Sequence, residues 1–366
     1  MVQSKNTNHE QIDPLTTAHV MTVRGPVSPA SIGPTMTHEH IFLKFDEWYD
    51  PSGLHDPTLG EQPMSSHFGG LCRWDSCSIR DNLGQQPQKD WDMVAEELGH
   101  FLDAGGSCLV ELTVEGLSPF PADVRRISES SGIHIVQGAG FYVHATHPEW
   151  IESASVEELE QHLLSEVREG VNKSGVIPGI LGEIGTSATL QDCEERVLRA
   201  CARVARRTGI PINVHCEPPT LDVVMQILDV LVEEGHDLRR TSLSHLDEII
   251  DLEYHETVLR RGVIVGFDSF GQDGYFSPTL KSRSDQEKMT TLAALIERGY
   301  EDQLVLSMDM GKKHYLKRFG GMGYDHVLRR IIPRLRGIYG VSDVVMEKLL
   351  VTTPRRLLTI DPVSLS

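Results

Sequence analysis

The chain has 366 residues with 34 basic and 53 acidic side chains, a formal net charge of −19 with its 17 histidines counted neutral. Its composition, 39% hydrophobic and 24% charged, is that of a globular protein able to bury a sizeable core. So negative a surface repels phosphate backbones and anionic lipids, which excludes nucleic acid and membrane partners and leaves a small molecule as the expected one.

In chain order, the first twenty residues, MVQSKNTNHEQIDPLTTAHV, lack the apolar core of a signal peptide, and no later apolar run is long enough for a bilayer. The six cysteines, at 72, 77, 108, 193, 201 and 216, form no C-x-x-C pair. A cytoplasmic protein without a disulfide framework is expected. Beyond the N-terminus, short β-branched runs alternate with stretches of helical period. Strands are expected at 35–40, 108–113, 134–139, 180–184, 212–216, 242–246, 263–268 and 304–308. Helices are expected at 155–170, 194–208, 221–234, 288–298 and 342–350, the last closed off before Pro354. Eight β-α repeats predict a single α/β domain over 1–366, a (β/α)8 TIM barrel; no glycine-rich phosphate fingerprint favours an open doubly wound sheet. Segments 41–88 and 269–286 are long connections that leave strand C-terminal ends, where barrels place active sites, and 41–88 is expected to form a lid insertion or a surface cover.

The chemistry sits at those strand ends. The first strand closes with His38-Glu39-His40, the fourth carries Glu183 in LGEIGTS, and the fifth carries His215 in INVHC. His245 follows in SLSHLDE and Asp309 in LSMDM. Residues i and i+2 of a strand share a face, so His38 and His40 look the same way, and a parallel barrel gathers all these ends on one rim. Four imidazoles and two carboxylates suit two divalent ions, zinc first, with manganese and cobalt also acceptable to such donors. The expected division places His38, His40 and Asp309 on one ion, His215 and His245 on the other, and Glu183 between them. Such a pair activates water, and Asp309 is expected to take up its proton during attack. A lone histidine at a strand end is commonly structural, so the weight lies in the conjunction. His144, His147, His314 and His326, in loops, are read as solvated or packed behind the ligands.

The stretches TMTHEH, GAGFYVHATHP, LGEIGTS, SLSHLDE, LSMDMGKKHYLKRFGGMGYDHVLRRIIPRL and LVTTPRRLL sample nearly the whole chain. Together they resemble the phosphotriesterase family of the amidohydrolase superfamily, nearest its phosphotriesterase-related branch. The resemblance implies a barrel with a binuclear zinc-type centre, the same six ligands, and hydrolysis of an ester, lactone, phosphoester or amide. It also implies a homodimer by analogy. Founding members bridge their metals with a carboxylated lysine; Glu183 stands there in this chain, so metal loading is expected to be independent of bicarbonate.

Substrate signals are thinner. Residues 311–318, GKKHYLKR, are basic in an acidic chain, and Lys312 and Tyr315 are candidates for holding an anionic substrate group. Solvated lysines on a loop are the plainer reading. Tyr142 could donate to a developing oxyanion or simply pack, and Arg283 is a further substrate candidate. The leading expectation is a metal-dependent hydrolase of a carboxylic ester, lactone or amide. A phosphotriesterase is the alternative within enzymes, and a non-catalytic ligand-binding barrel the alternative outside them.

Overall fold

β-Branched and small residues in the eight expected runs form eight parallel strands in the computed structural model, which describes residues 13–362 except 15, 278 and 279. They are β1 (Thr35–Glu39), β2 (Cys108–Glu111), β3 (His134–Ala139), β4 (Ile180–Thr186), β5 (Ile212–Cys216), β6 (Thr241–Ser244), β7 (Ile264–Phe267) and β8 (Leu304–Leu306). They pair in sequential order in one sheet. The seam between β8 and β1 is bridged by Asp309 N–H donating to the His38 carbonyl at 3.1 Å and by the Ser307 hydroxyl donating to the same oxygen at 2.7 Å. The result is a nearly closed (β/α)8 TIM barrel. Most of the first twenty residues, where a signal segment is not expected, lie outside the described ones.

Seven crossover helices surround it: α1 (Pro87–Asp103), α2 (Pro121–Ser131), α3 (Val156–Glu169), α4 (Asp192–Thr208), α5 (Leu221–Glu233), α6 (Leu252–Leu259) and α7 (Asp285–Glu297). Their ends follow local chemistry. Ser155 with Glu158, and Ser284 with Glu287, cap α3 and α7 reciprocally. The expected terminal helix differs from the one observed. Helical turns continue from Asp343 through Leu358 and include Pro354, because a wide turn over Lys348–Thr352 precedes the proline and accommodates its missing N–H. The same device, over Val327–Ile331, admits Pro333.

Two layers of core result. Leu109, Ile135, Leu181, Val214, Leu243 and Val265 face outward onto helix residues such as Leu98, Ile127 and Val197. Cys108, Val110, Val136 and Ile180 point inward with Val20, Ile32 and Leu358. These last residues belong to a plug that the sequence reading missed: strands His19–Thr22, Gly25–Val27 and Thr359–Ile360 pair into a small antiparallel sheet. Among the described residues, no helix is long and apolar enough to cross a membrane.

The 41–88 segment folds into short 3-10 turns and one helix, Gly69–Trp74. It packs against the connection that follows β7, where the Ser76 hydroxyl donates to the Phe276 carbonyl at 2.8 Å. A short ribbon there pairs Tyr275–Ser277 with Leu280–Lys281.

Candidate metal centre and active-site cleft

Strict alternation would aim two of the six expected ligands the wrong way. Met36 packs in the helix-facing core, so by period two His38 would face outward too. The ladder from β1 to β2 shifts register between Met36 and Glu39, and that irregularity turns His38 inward. In β4 both Leu181 and Ile184 lie in the outer core, and a shift between them turns Glu183 inward. Gly185, two residues on, lets the Tyr142–Val143 backbone approach where any Cβ would collide with it. His245 and Asp309 leave their strands through left-handed backbone, φ 64° and 53°, strained for residues with a Cβ and found mainly where a site requires it.

All six residues converge. His40 Nε2 lies 3.1 Å from Asp309 Oδ1 and 3.3 Å from Glu183 Oε1, and His38 Nε2 lies 3.3 Å from Glu183 Oε2. On the other side, His215 Nδ1 lies 3.0 Å from Glu183 Oε2 and 2.9 Å from His245 Nε2. The donor atoms of His38, His40 and Asp309 form one compact group, and those of Glu183, His215 and His245 another. His38 Nε2 is buried without a hydrogen-bond partner, as a ring nitrogen held for a cation would be. The donor set fits divalent metal.

The electrostatics make the same demand. Burial alone would raise the Glu183 carboxyl, but His38, His215 and His245 hold it well below the usual carboxylate range. Burial is likewise outweighed at Asp309 by His40, His38 and His245. Buried ionised carboxylates require positive charge beside them. Tyr142 keeps its proton, since burial and then Glu183, Glu217 and Asp309 push its phenol well up.

Several residues that sequence reading missed hold these groups in place. Asp268 lies 3.2 Å from His38 Nδ1 and 3.2 Å from His245 Nδ1, so one carboxylate orients one imidazole from each half of the centre. It ends its strand as the ligands end theirs, and that position was the available signal. The Ser244 hydroxyl sits 2.8 Å from His38 Nδ1, and Thr113 Oγ1 sits 2.9 Å from His40 Nδ1. Glu39 accepts from Met308 N–H and Met310 N–H on either side of Asp309, as well as from the Ser307 hydroxyl. Gln272 donates to Asp309 Oδ2 at 3.1 Å. Nothing in the local sequence marks Ser244, Thr113 or Gln272.

Above the centre opens a cleft of about 270 Å³, whose walls include Tyr142, Glu217, Glu248, Gln272, Lys312 and Tyr315. That lies near the lower end of small-ligand sites, which run from roughly 300 to 1,000 Å³. Tyr142 Oη lies 3.3 Å from His215 Nε2. The solvated reading of the lysines is overturned. Lys312 is 3% exposed; its ammonium donates to Ser76 Oγ at 2.8 Å and stands 3.4 Å from the Phe276 ring centre. Lys313 is buried too, paired with Asp81 and Asp90 at 2.9 Å each. Ser76 and Asp81 come from the 41–88 segment and Asp90 from the start of α1, all more than two hundred residues away in sequence. Tyr315 donates its hydroxyl to Gln272 Oε1 at 3.3 Å. Arg283 stays exposed at the cleft mouth, its Nε donating to the Glu248 carbonyl at 3.2 Å. Of the four loop histidines, His144 is exposed and His147 Nε2 donates to the Tyr142 carbonyl. His314 and His326 are buried, against Asn82 and Asp285, because other loops fold over them.

A parallel barrel with imidazoles and carboxylates gathered under a cleft at its C-terminal rim defines the class of metal-dependent hydrolases. Comparison with known proteins assigns the family: the phosphotriesterase family model matches residues 18–358. The chain belongs to the phosphotriesterase family and is a hydrolytic, metal-dependent enzyme. It is 35% identical over 347 residues to the N-acetyltaurine hydrolase of Xenopus tropicalis, covering 93% of this chain and 97% of that one. Among solved structures, a resiniferatoxin-binding protein from Rhodobacter sphaeroides superposes with a TM-score of 0.88 at 33% identity, covering 95% of this chain and 98% of that one. The organophosphorus hydrolase of Deinococcus radiodurans does so with a TM-score of 0.75 at 26% identity, covering 93% and 96%.

Proposed function

We propose that this enzyme hydrolyses the amide bond of a small anionic N-acyl compound, an N-acyl amino acid or N-acyl amino sulfonate, with esters and lactones as chemically related targets. The observation that carries the reading is one cleft holding two things: His40, Glu183, His215, His245 and Asp309 of the converging donor set at its floor, and the buried amine of Lys312 in its wall. Under this reading His38, His40 and Asp309 hold one divalent ion of the zinc kind, His215 and His245 hold a second, and Glu183 lies between them. Bound there, the ions would supply Lewis acidity and water activation at neutral pH. The Glu183 carboxylate lies against histidines of both halves, Oε1 beside His40 and Oε2 beside His38 and His215, which supports the bridging role without any modified lysine.

The protein's own groups then divide the remaining work. Asp309 stays ionised and accepts the proton released as water attacks, with Gln272 holding its Oδ2. The protonated Tyr142 hydroxyl, beside His215, is placed to donate to oxygen charge developing on the acyl carbon. Lys312 pairs with the substrate carboxylate or sulfonate, and the cleft volume admits only a small acyl group alongside it. The N-acetyltaurine hydrolases to which the chain is similar are named for such an amide, and their likeness spans nearly the whole chain.

Steady-state kinetics on a panel of N-acetyl amino acids, N-acetyl amino sulfonates, lactones and aryl phosphotriesters tests this. The anionic amides are expected to give the highest kcat/KM. Lys312→Met is expected to raise KM for them about ten-fold with kcat little changed, the loss of one hydrogen bond to a charged group. A clear preference for phosphotriesters would overturn the substrate class.

A further inference from the structure

Away from the cleft floor, a second group of unlike donors meets where the connection after β3 touches the start of α4. His144 Nε2 lies 3.4 Å from Glu152 Oε2, and Cys193 Sγ completes a group whose three donor atoms all lie within 4.8 Å of one another. Two ligands arranged tetrahedrally at roughly 2.0–2.1 Å from one ion stand about 3.4 Å apart, so the imidazole and carboxylate already hold the separation that a shared ion imposes. Neither exposed side chain gains much from a simple ion pair at this distance, since a surface pair is worth about 0–1 kcal/mol.

Neighbouring groups leave these three donors available. Glu194, the adjacent carboxylate, is already occupied by the backbone N–H groups of His144, Ser187 and Gln191. Arg196 donates to the Ile151 and Glu152 carbonyls, fixing the turn that presents Glu152, and leaves the Glu152 carboxylate free of its guanidinium hydrogen bonds. Cys193 is buried and Glu152 and His144 are exposed, so an ion would reach the thiol from solvent through the other two.

We infer that His144, Glu152 and Cys193 form a peripheral binding site for one borderline transition-metal ion, Zn2+ or Co2+, completed by water. Thiol and imidazole donors select such an ion over magnesium or calcium. Binding forms an S–metal bond as the thiol proton leaves to solvent, so affinity rises with pH. The site ties α4 to the connection that carries Tyr142, two residues before His144, and so braces one wall of the cleft without touching the reacting atoms.

Cobalt distinguishes this site from the active centre, whose six proposed ligands contain no sulfur. Enzyme given only the two equivalents of Zn2+ per chain that fill the active centre is expected, on titration with Co2+, to develop a near-ultraviolet thiolate-to-cobalt charge-transfer band that saturates at one ion per chain and is competed away by further Zn2+. Cys193→Ser is expected to abolish the band. His144→Ala is expected to weaken apparent affinity by about ten-fold or more, at least the loss caused by removing an outer-shell partner. Absence of the band, its survival in Cys193→Ser, or an unchanged titration in His144→Ala would each overturn the proposal. Circular dichroism of the variants establishes that they are folded.

Discussion

The two ends of the barrel interior are built from opposite chemistry. Where the strands begin, Cys108, Val110, Val136 and Ile180 fill the barrel and meet Val20, Ile32 and Leu358 of the plug, while Ile264 and Val305 meet Leu357. Where the strands end, the same barrel holds four imidazoles and the carboxylates of Glu183, Asp268 and Asp309 within a few ångströms. Apolar burial contributes roughly 25 cal/mol per Å2, whereas buried charge costs free energy unless paired. The plugged end therefore supplies stability, and the rim holds an arrangement that stability alone would not select.

If that division holds, substitutions at the two ends separate cleanly. The largest expected effect is at the rim: Asp309→Asn should lower turnover about 1,000-fold, in the range of a lost proton acceptor. Turnover and metal content measured together check it, and undiminished turnover with metals bound would remove the proton role. At the plugged end, Leu358→Ala should cost about 3 kcal/mol in a urea titration, as a buried leucine truncation does, with kcat/KM unchanged. A fall in kcat/KM to match would blur the division between the ends.

His236, against Thr241 at the start of β6, is pushed down to about 4 by burial. The unfolded chain takes up this proton near 6.5, so the stability from the neutral ring is complete above that pH and drains as pH falls toward 4, by about 3 kcal/mol. Chemical denaturation of the wild type and His236→Gln across pH 4–7 should show the variant with the shallower loss; equal slopes would exclude His236 as the source. The smallest effect sharpens the rim itself. Asp268→Asn should weaken metal binding by roughly 10- to 100-fold, as loss of a group orienting a ligand does, and shift the melting temperature little. An unchanged metal affinity would leave Asp268 without the positioning role.

The sequence by itself determined the barrel and the chemical identity of its rim. Strand periodicity is a local property, and the order His38, His40, Glu183, His215, His245, Asp309 follows from residue type at strand ends. The helix expected to stop before Pro354 ran on, because a wide turn is a backbone adjustment with no local signature. What the tertiary structure decided was direction and burial. Register shifts in β1 and β4 aim His38 and Glu183 inward, and they arise from pairing with neighbouring strands. Lys312 and Lys313 read as solvated until Ser76, Asp81 and Asp90 arrive from the segment after β1. Asp268 becomes the common support of His38 and His245 only when β6 and β7 pair and closure of the barrel brings β1 near them. Periodicity is written into neighbouring residues; the environment of a charge is set by groups that only folding brings within a few ångströms of it.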